Sequence, residues 1–159
     1  MSALSVAAAS EATAQAPVAA AGSSDLPTKP VLTLAAVKRL LQAGEAEAQA
    51  RGLAVSIAIV DDGGHLWSAS RLDAAPPSTV SIATDKARTA ALIRRPGKAF
   101  EDLINGGRIA LLSISSLSAM LDGGIPLTVQ GHCVGAVGVS GGRPPDDAAV
   151  IEAVLRAWG

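Results

Sequence analysis

Five side chains of this sequence have types and positions that could do chemistry: His65, Arg71, Lys86, His132 and Asp147. The two histidines follow the glycine-bearing motifs DGGH and QGH, so each can offer a neutral imidazole to a metal from a hairpin turn. Two ligands are too few for zinc, which needs three or four. Met120 and Cys133 are softer donors, although a lone cysteine on a strand also reads as a small buried hydrophobe. Lys86 lies between Ile82 and Ile93, at the edge of a stripe of small residues. A lysine drawn toward an apolar layer needs a carboxylate partner or an anionic ligand. Arg71 and Asp147 could converge with it if the hairpins of the chain pair centrally. A lysine and an arginine over one pocket would hold a carboxylated molecule, and a carboxylate beside them could serve as a base. Each residue also has a plainer reading. A turn histidine can cap backbone, Lys86 can be a solvated lysine, and Asp146 and Asp147 can complement the dipole at the start of a helix. Asp61 and Asp62 are turn formers.

The elements that must position these side chains can be read in order. Thr33 is suited to cap a helix in which Leu34, Val37, Leu40, Leu41 and Ala48 recur at helical spacing up to the stop at Gly52. Leu53 to Val60 alternates as a strand, Asp61-Asp62-Gly63-Gly64 turns, and His65 to Leu72 returns. After Pro76-Pro77, Ser78 can cap a helix whose Val80, Ala83, Ala87, Ala90 and Ala91 form the small stripe, suited to a glycine-containing sheet. Lys98 to Ile104 makes a short amphipathic turn, and Ile109 to Leu121 is ambiguous between helix and strand. Pro126 to Gln130 and Cys133 to Val139 form a second hairpin, reversing at Gln130-Gly131-His132, where positive φ must be tolerated. In its returning strand Val134, Ala136 and Gly138 face one way and Cys133, Gly135, Val137 and Val139 the other. Neither face is polar, so both are expected to be covered, with something pressed closely on the glycines. Pro144-Pro145 opens the last helix. The order α-β-β-α-α-β-β-α predicts an α+β fold around a central antiparallel sheet.

Composition narrows the function. With 49% hydrophobic and 17% charged residues, 159 residues suffice for one globular domain, placed at residues 31–159. Residues 1–30 are Ala/Ser/Pro-rich without periodicity and read as a disordered tail. A net charge of -1 and the absence of a basic stripe exclude nucleic acid and an anionic membrane surface as partners. No stretch has the length of a membrane span. The tail carries A-x-A sequences that a signal peptidase could accept, but no Lys or Arg precedes Lys29 and Glu11 interrupts the apolar run. The expectation is a cytoplasmic protein, with export as the alternative. A core with one Phe, two Trp and no Tyr must be filled by Ala, Val, Ile and Leu, which brings backbone layers close and suits contacts between subunits.

Four motifs together resemble one family: IVDDGGHLWSASRLDAA (Ile59 to Ala75), DKARTAA (Asp85 to Ala91), DGGIPL (Asp122 to Leu127) and VGAVGVSGGRPPDD (Val134 to Asp147). They resemble the GlcG/HbpS family of small haem-binding-type proteins, to which the C-terminal domain of PduO proteins is related. The resemblance covers residues 32 to 158. It implies profilin-like α/β/α layers, homo-oligomers with pockets between subunits, haem as the cofactor, and a place beside catabolic enzymes. With no Tyr, tyrosinate cannot be the axial iron ligand, which leaves His65 and His132 as candidates, with Arg71 and Lys86 as anchors for haem propionates. Two other readings compete. In one, an enzyme acts on a small carboxylated or carbonyl metabolite by proton transfer or hydration, with Lys86 and Arg71 binding substrate and Asp147 as base. In the other, the chain is a non-catalytic assembly subunit.

Overall fold

The computed structural model describes residues 26–159. The tail assigned to residues 1–30 and its A-x-A sequences lie outside that range except for residues 26–30. Nine elements follow: α1 (Leu34–Ala50), β1 (Ser56–Asp61), β2 (Leu66–Arg71), α2 (Ser78–Ile93), α3 (Lys98–Asn105), a 3-10 turn (Ile109–Ser113), β3 (Gly124–Val129), β4 (His132–Ser140) and α4 (Pro144–Trp158). The strands make one antiparallel sheet in the order β2-β1-β4-β3. Both hairpins thus join through their inner strands, β1 and β4. Among the described residues, no helix is long and apolar enough to cross a membrane.

Alternation decides which helix covers which face. Ile57 and Ile59 of β1 lie opposite Val139 and Val137 of β4, and these four join a core with Val37 and Leu40 of α1 and Val150 and Val154 of α4. Fully burying side chains of this size contributes about 2 kcal/mol each. On the other face, Val60 and Ala136 meet Ala87, Ala90 and Ala91 of α2. The result is the expected α/β/α layering. The small stripe of α2 indeed rests on glycine: a Cβ at Gly138 would run into the Ala83 carbonyl oxygen and lie 2.7 Å from the Ala87 amide nitrogen.

Three local expectations are corrected. The alternation in β4 breaks at its start, because Leu127 pairs with Gly135 and Thr128 with Cys133, leaving Val134 as the extra residue of a bulge. Val134 therefore joins the α1/α4 core, while the Cys133 thiol lies on the α2 side, 3.9 Å from the Ala91 carbonyl oxygen. Ser78 does not cap α2. Pro77 already has helical angles (φ -55°, ψ -33°), so the cap position moves back and Ser78 falls inside the first turn. The segment from Ile109 to Leu121 is neither long helix nor strand but a 3-10 turn followed by irregular chain, pinned where the Thr89 hydroxyl donates to the Ser118 carbonyl. By contrast Thr33 caps α1 as expected, accepting the Ala36 N–H at 3.2 Å, and Gln130 and Gly131 turn with positive φ.

Replacing Gly138 by Ala is expected to lower the unfolding free energy by about 3 kcal/mol, since the collision is with helix backbone that has no rotamer to yield. Urea denaturation of the variant measures this. A loss below about 0.5 kcal/mol, the level of an ordinary surface substitution, would mean that α2 does not rest on β4 in this way.

Candidate functional site

Close packing of α2 carries Lys86 into the sheet end formed by Gly123, Val139 and the start of α4. The lysine is 8% exposed. Its Nζ donates to the Val139 carbonyl at 3.0 Å and faces Asp147 Oδ2 at 3.4 Å. Gly123 makes room: at φ +98° it has no Cβ, which would lie 2.8 Å from that Nζ. Asp147 is 5% exposed and accepts the Gly142 N–H on Oδ1 at 2.9 Å. Burial pushes its carboxyl above the ordinary value of 3.8, outweighing the Gly142 hydrogen bond and the Lys86 charge, both of which pull it down.

The pair borders a cavity of about 190 Å³. Glu101 of α3, Leu121, Asp122, Pro144 and Ala148 complete its wall with the two glycines. Glu101 Oε2 accepts the Asp122 N–H at 2.8 Å, and Asp122 Oδ1 accepts the Gly123 N–H at 2.7 Å. Past Glu101 and Leu121 lies a more apolar cavity of about 410 Å³ lined by Ile104, Leu112, Leu117 and Met120.

Both histidines are at the opposite end of the sheet. Asp61, which ends β1, pairs with Gly135 near the start of β4, so the β1–β2 and β3–β4 turns share one end. From His132 to Val139 the strand runs roughly 24 Å at about 3.4 Å per residue. The His65 side chain is 83% exposed, with Nδ1 at 3.3 Å from Asp61 Oδ2. The same carboxylate holds the turn, accepting the Gly63 and His65 amides at 2.9 and 2.8 Å. Around it Leu66, Trp67 and Leu92 are 50%, 43% and 43% exposed, and Arg88 donates to the Gly64 carbonyl at 3.1 Å. His132 is exposed at the tip of the other hairpin.

Lys86 and Asp147 are therefore brought together, and Arg71 is not. Central pairing of the hairpins places β2 on the outer edge of the sheet, with β1 between it and β4. Arg71 there lines a separate cavity of about 460 Å³ with Glu45, Gln49 and Asp73. Neither Arg71 nor His65 lines the cavity beside Lys86. Cys133 is buried against backbone carbonyls; Met120 is 8% exposed. Arg88, Glu101 and Asp122 escaped the sequence reading. The place of Arg88 inside the DKARTAA motif was the available signal for the first, whereas Glu101 and Asp122 meet only through an irregular segment.

A family model described as "Haem degrading protein HbpS-like" matches residues 32–156. The chain belongs to the HbpS-like family. Protein GlcG of Escherichia coli strain K12 is 45% identical over 113 residues, covering 71% of this chain and 84% of GlcG. The crystal structure of a double mutant of HbpS from Streptomyces reticuli superposes with TM-score 0.75 at 31% identity, covering 90% of this chain and 97% of that one. A PduOC–haem complex has the same fold, with TM-score 0.73 at 23% identity over 80% of this chain and 95% of the other.

For this HbpS-like chain the raised Asp147 carboxyl sets a pH dependence of known sign. The folded protein holds that proton more tightly than the unfolded chain, so the resulting stabilisation is complete below about pH 3.8 and is lost as pH rises through the folded-state value. Asp147→Asn cannot ionise. The stability of the wild type minus that of the variant is expected to fall as pH rises from 3.8 and then to level off. Denaturant melts across that range test it, and a difference that grows with pH would reverse the assignment.

Proposed function

We propose that this protein binds haem through His65, on a face completed by a second copy of the chain. The observation that carries the reading is the setting of that imidazole: exposed, on a turn held by Asp61, and bordered by Leu66, Trp67, Leu92 and Arg88. An axial ligand needs a free ring nitrogen, and a carboxylate behind the other nitrogen orients the ring. Exposed apolar side chains suit the macrocycle, and a guanidinium suits a propionate. A one-sided surface leaves most of a porphyrin in water, so a second chain has to cover it. The family description, and the haem in the PduOC structure, agree with a haem-related role. Arg88, which donates to the Gly64 carbonyl of the same turn and pairs with Asp85 at 3.1 Å, is the propionate anchor in this reading, in place of Lys86 and Arg71, which line other cavities.

Titration of the purified protein with haemin is expected to give a saturable Soret shift that His65→Ala abolishes and His132→Ala retains. A saturable shift that survives His65→Ala would overturn the reading. Trp67→Glu places a charge in the surface to be covered, so light scattering should report a smaller assembly and the spectrum at least tenfold weaker haemin uptake, equivalent to about 1.4 kcal/mol. An unchanged assembly would remove the second copy from the site.

A further inference from the structure

We propose that the cavity beside Lys86 and Asp147 is a second binding site, specific for a small, electrically neutral hydroxycarbonyl compound. It is independent of the haem reading, because it sits at the other end of the sheet.

Size comes first. A volume of about 190 Å³ corresponds to roughly six water molecules at about 30 Å³ each, the space of a molecule with few heavy atoms. Next is the balance of donors and acceptors. An ammonium has three N–H groups. Among the described residues Lys86 directs two of them at acceptors, the Val139 carbonyl and, at a long 3.4 Å, Asp147. The third remains for a ligand oxygen at the cavity wall. Across from it, Glu101 and Asp122 each have one carboxylate oxygen engaged by a backbone amide, through Oε2 and Oδ1 respectively. Their second oxygens are acceptors only, and suit hydroxyl groups.

Charge then selects among oxygen compounds. Three carboxyl groups, Glu101, Asp122 and Asp147, line this cavity with one ammonium, Lys86; the next cation, Lys98, is paired with Asp102 and lies outside the wall. An organic acid would add a further negative charge to a lining already acidic, contrary to the expectation of a carboxylated ligand. An amine would meet Lys86. A metal ion lacks its ligands, since no group of three or more His, Cys, Asp and Glu among the described residues could hold one. A neutral molecule with one carbonyl and one or two hydroxyl groups satisfies every partner at once: its carbonyl accepts from Lys86 and its hydroxyls donate to the acids. A purely structural pair, tying α2 to α4, would require none of this selectivity.

Dihydroxyacetone serves as the probe, added to the full-length, 15N-labelled protein without haem. The expected result is a saturable shift of the Gly123 and Gly142 amide signals, with glycerate, the acid of the same carbon number, binding at least about tenfold more weakly. Ala148 lines the cavity and is exposed on α4 outside the ion pair. Ala148→Phe should therefore abolish the shifts at unchanged Tm. Lys86→Met should abolish them as well, but its cost to folding makes Ala148→Phe the deciding variant. Absence of saturation at the two glycines, shifts that persist in Ala148→Phe, or glycerate binding as tightly as dihydroxyacetone would each overturn the proposal.

Discussion

With Ala83 and Ala87 on one side and Gly138 on the other, α2 approaches β4 until backbone meets backbone, a contact that any side chain at position 138 would prevent. The depth of α2 is thereby set by backbone contact with the sheet. The same approach repeats at the next strand, where a Cβ at Gly124 would lie 2.8 Å from the Lys86 carbonyl carbon. Lys86 thus starts from a backbone already seated on the sheet, and its four-carbon stem cannot reach open water without leaving Val139. Its charge is buried by the packing rather than by its own preference. Asp147 and the Val139 carbonyl are what make that burial tolerable, since a buried ammonium with no partner costs several kcal/mol.

That arrangement explains why the ion pair is a poor explanation of stability by itself. A buried pair recovers its desolvation only with short, well-aligned contacts, and the Lys86–Asp147 distance of 3.4 Å is not short. Asp147 is better satisfied by the Gly142 amide at 2.9 Å, and its carboxyl is raised rather than lowered. Burial outweighs attraction at this site. A group so placed holds a proton more readily than a surface carboxylate, beside a lysine and next to a space large enough for a small molecule.

Much of this was legible in the sequence. The period of 3.6 in α1, the small stripe of α2 and the positive-φ turn at Gln130-Gly131 are local signals, and local signals survive folding because nothing distant competes with them. The meeting of Lys86 with Asp147 was also foreseeable, since a lysine drawn toward an apolar layer needs a carboxylate partner and Asp147 stands in the first turn of the last helix. Arg71 ends the second strand as read, but it lines a cavity other than that of Lys86 for a topological reason. Hairpin periodicity does not reveal which strand of each hairpin is inner, and the order β2-β1-β4-β3 sends Arg71 to the outer edge. The bulge at Val134 was invisible for a different reason: one extra residue changes the facing of Cys133 without changing the composition of the strand. Glu101 reaches the site only through the amide of Asp122, a contact made by irregular chain, for which sequence carries no period.

Joining two hairpins through their inner strands has a chemical consequence. Both tight turns fall at one end of the sheet, where residues such as His65 and His132 are held out into solvent on short, stiff loops. The other end collects the chain entries, the start of α4 and the close glycines, and is where a charge becomes buried. An exposed imidazole suits a large, flat ligand shared with a neighbouring molecule; a buried lysine and carboxylate suit a small ligand enclosed by one chain. Helix α2 borders both ends, with Arg88 directed to the Gly64 turn and Lys86, two residues earlier, directed to Val139. Its rigid seat on Gly138 fixes the two side chains relative to each other, so each end can keep its geometry without contacting the other.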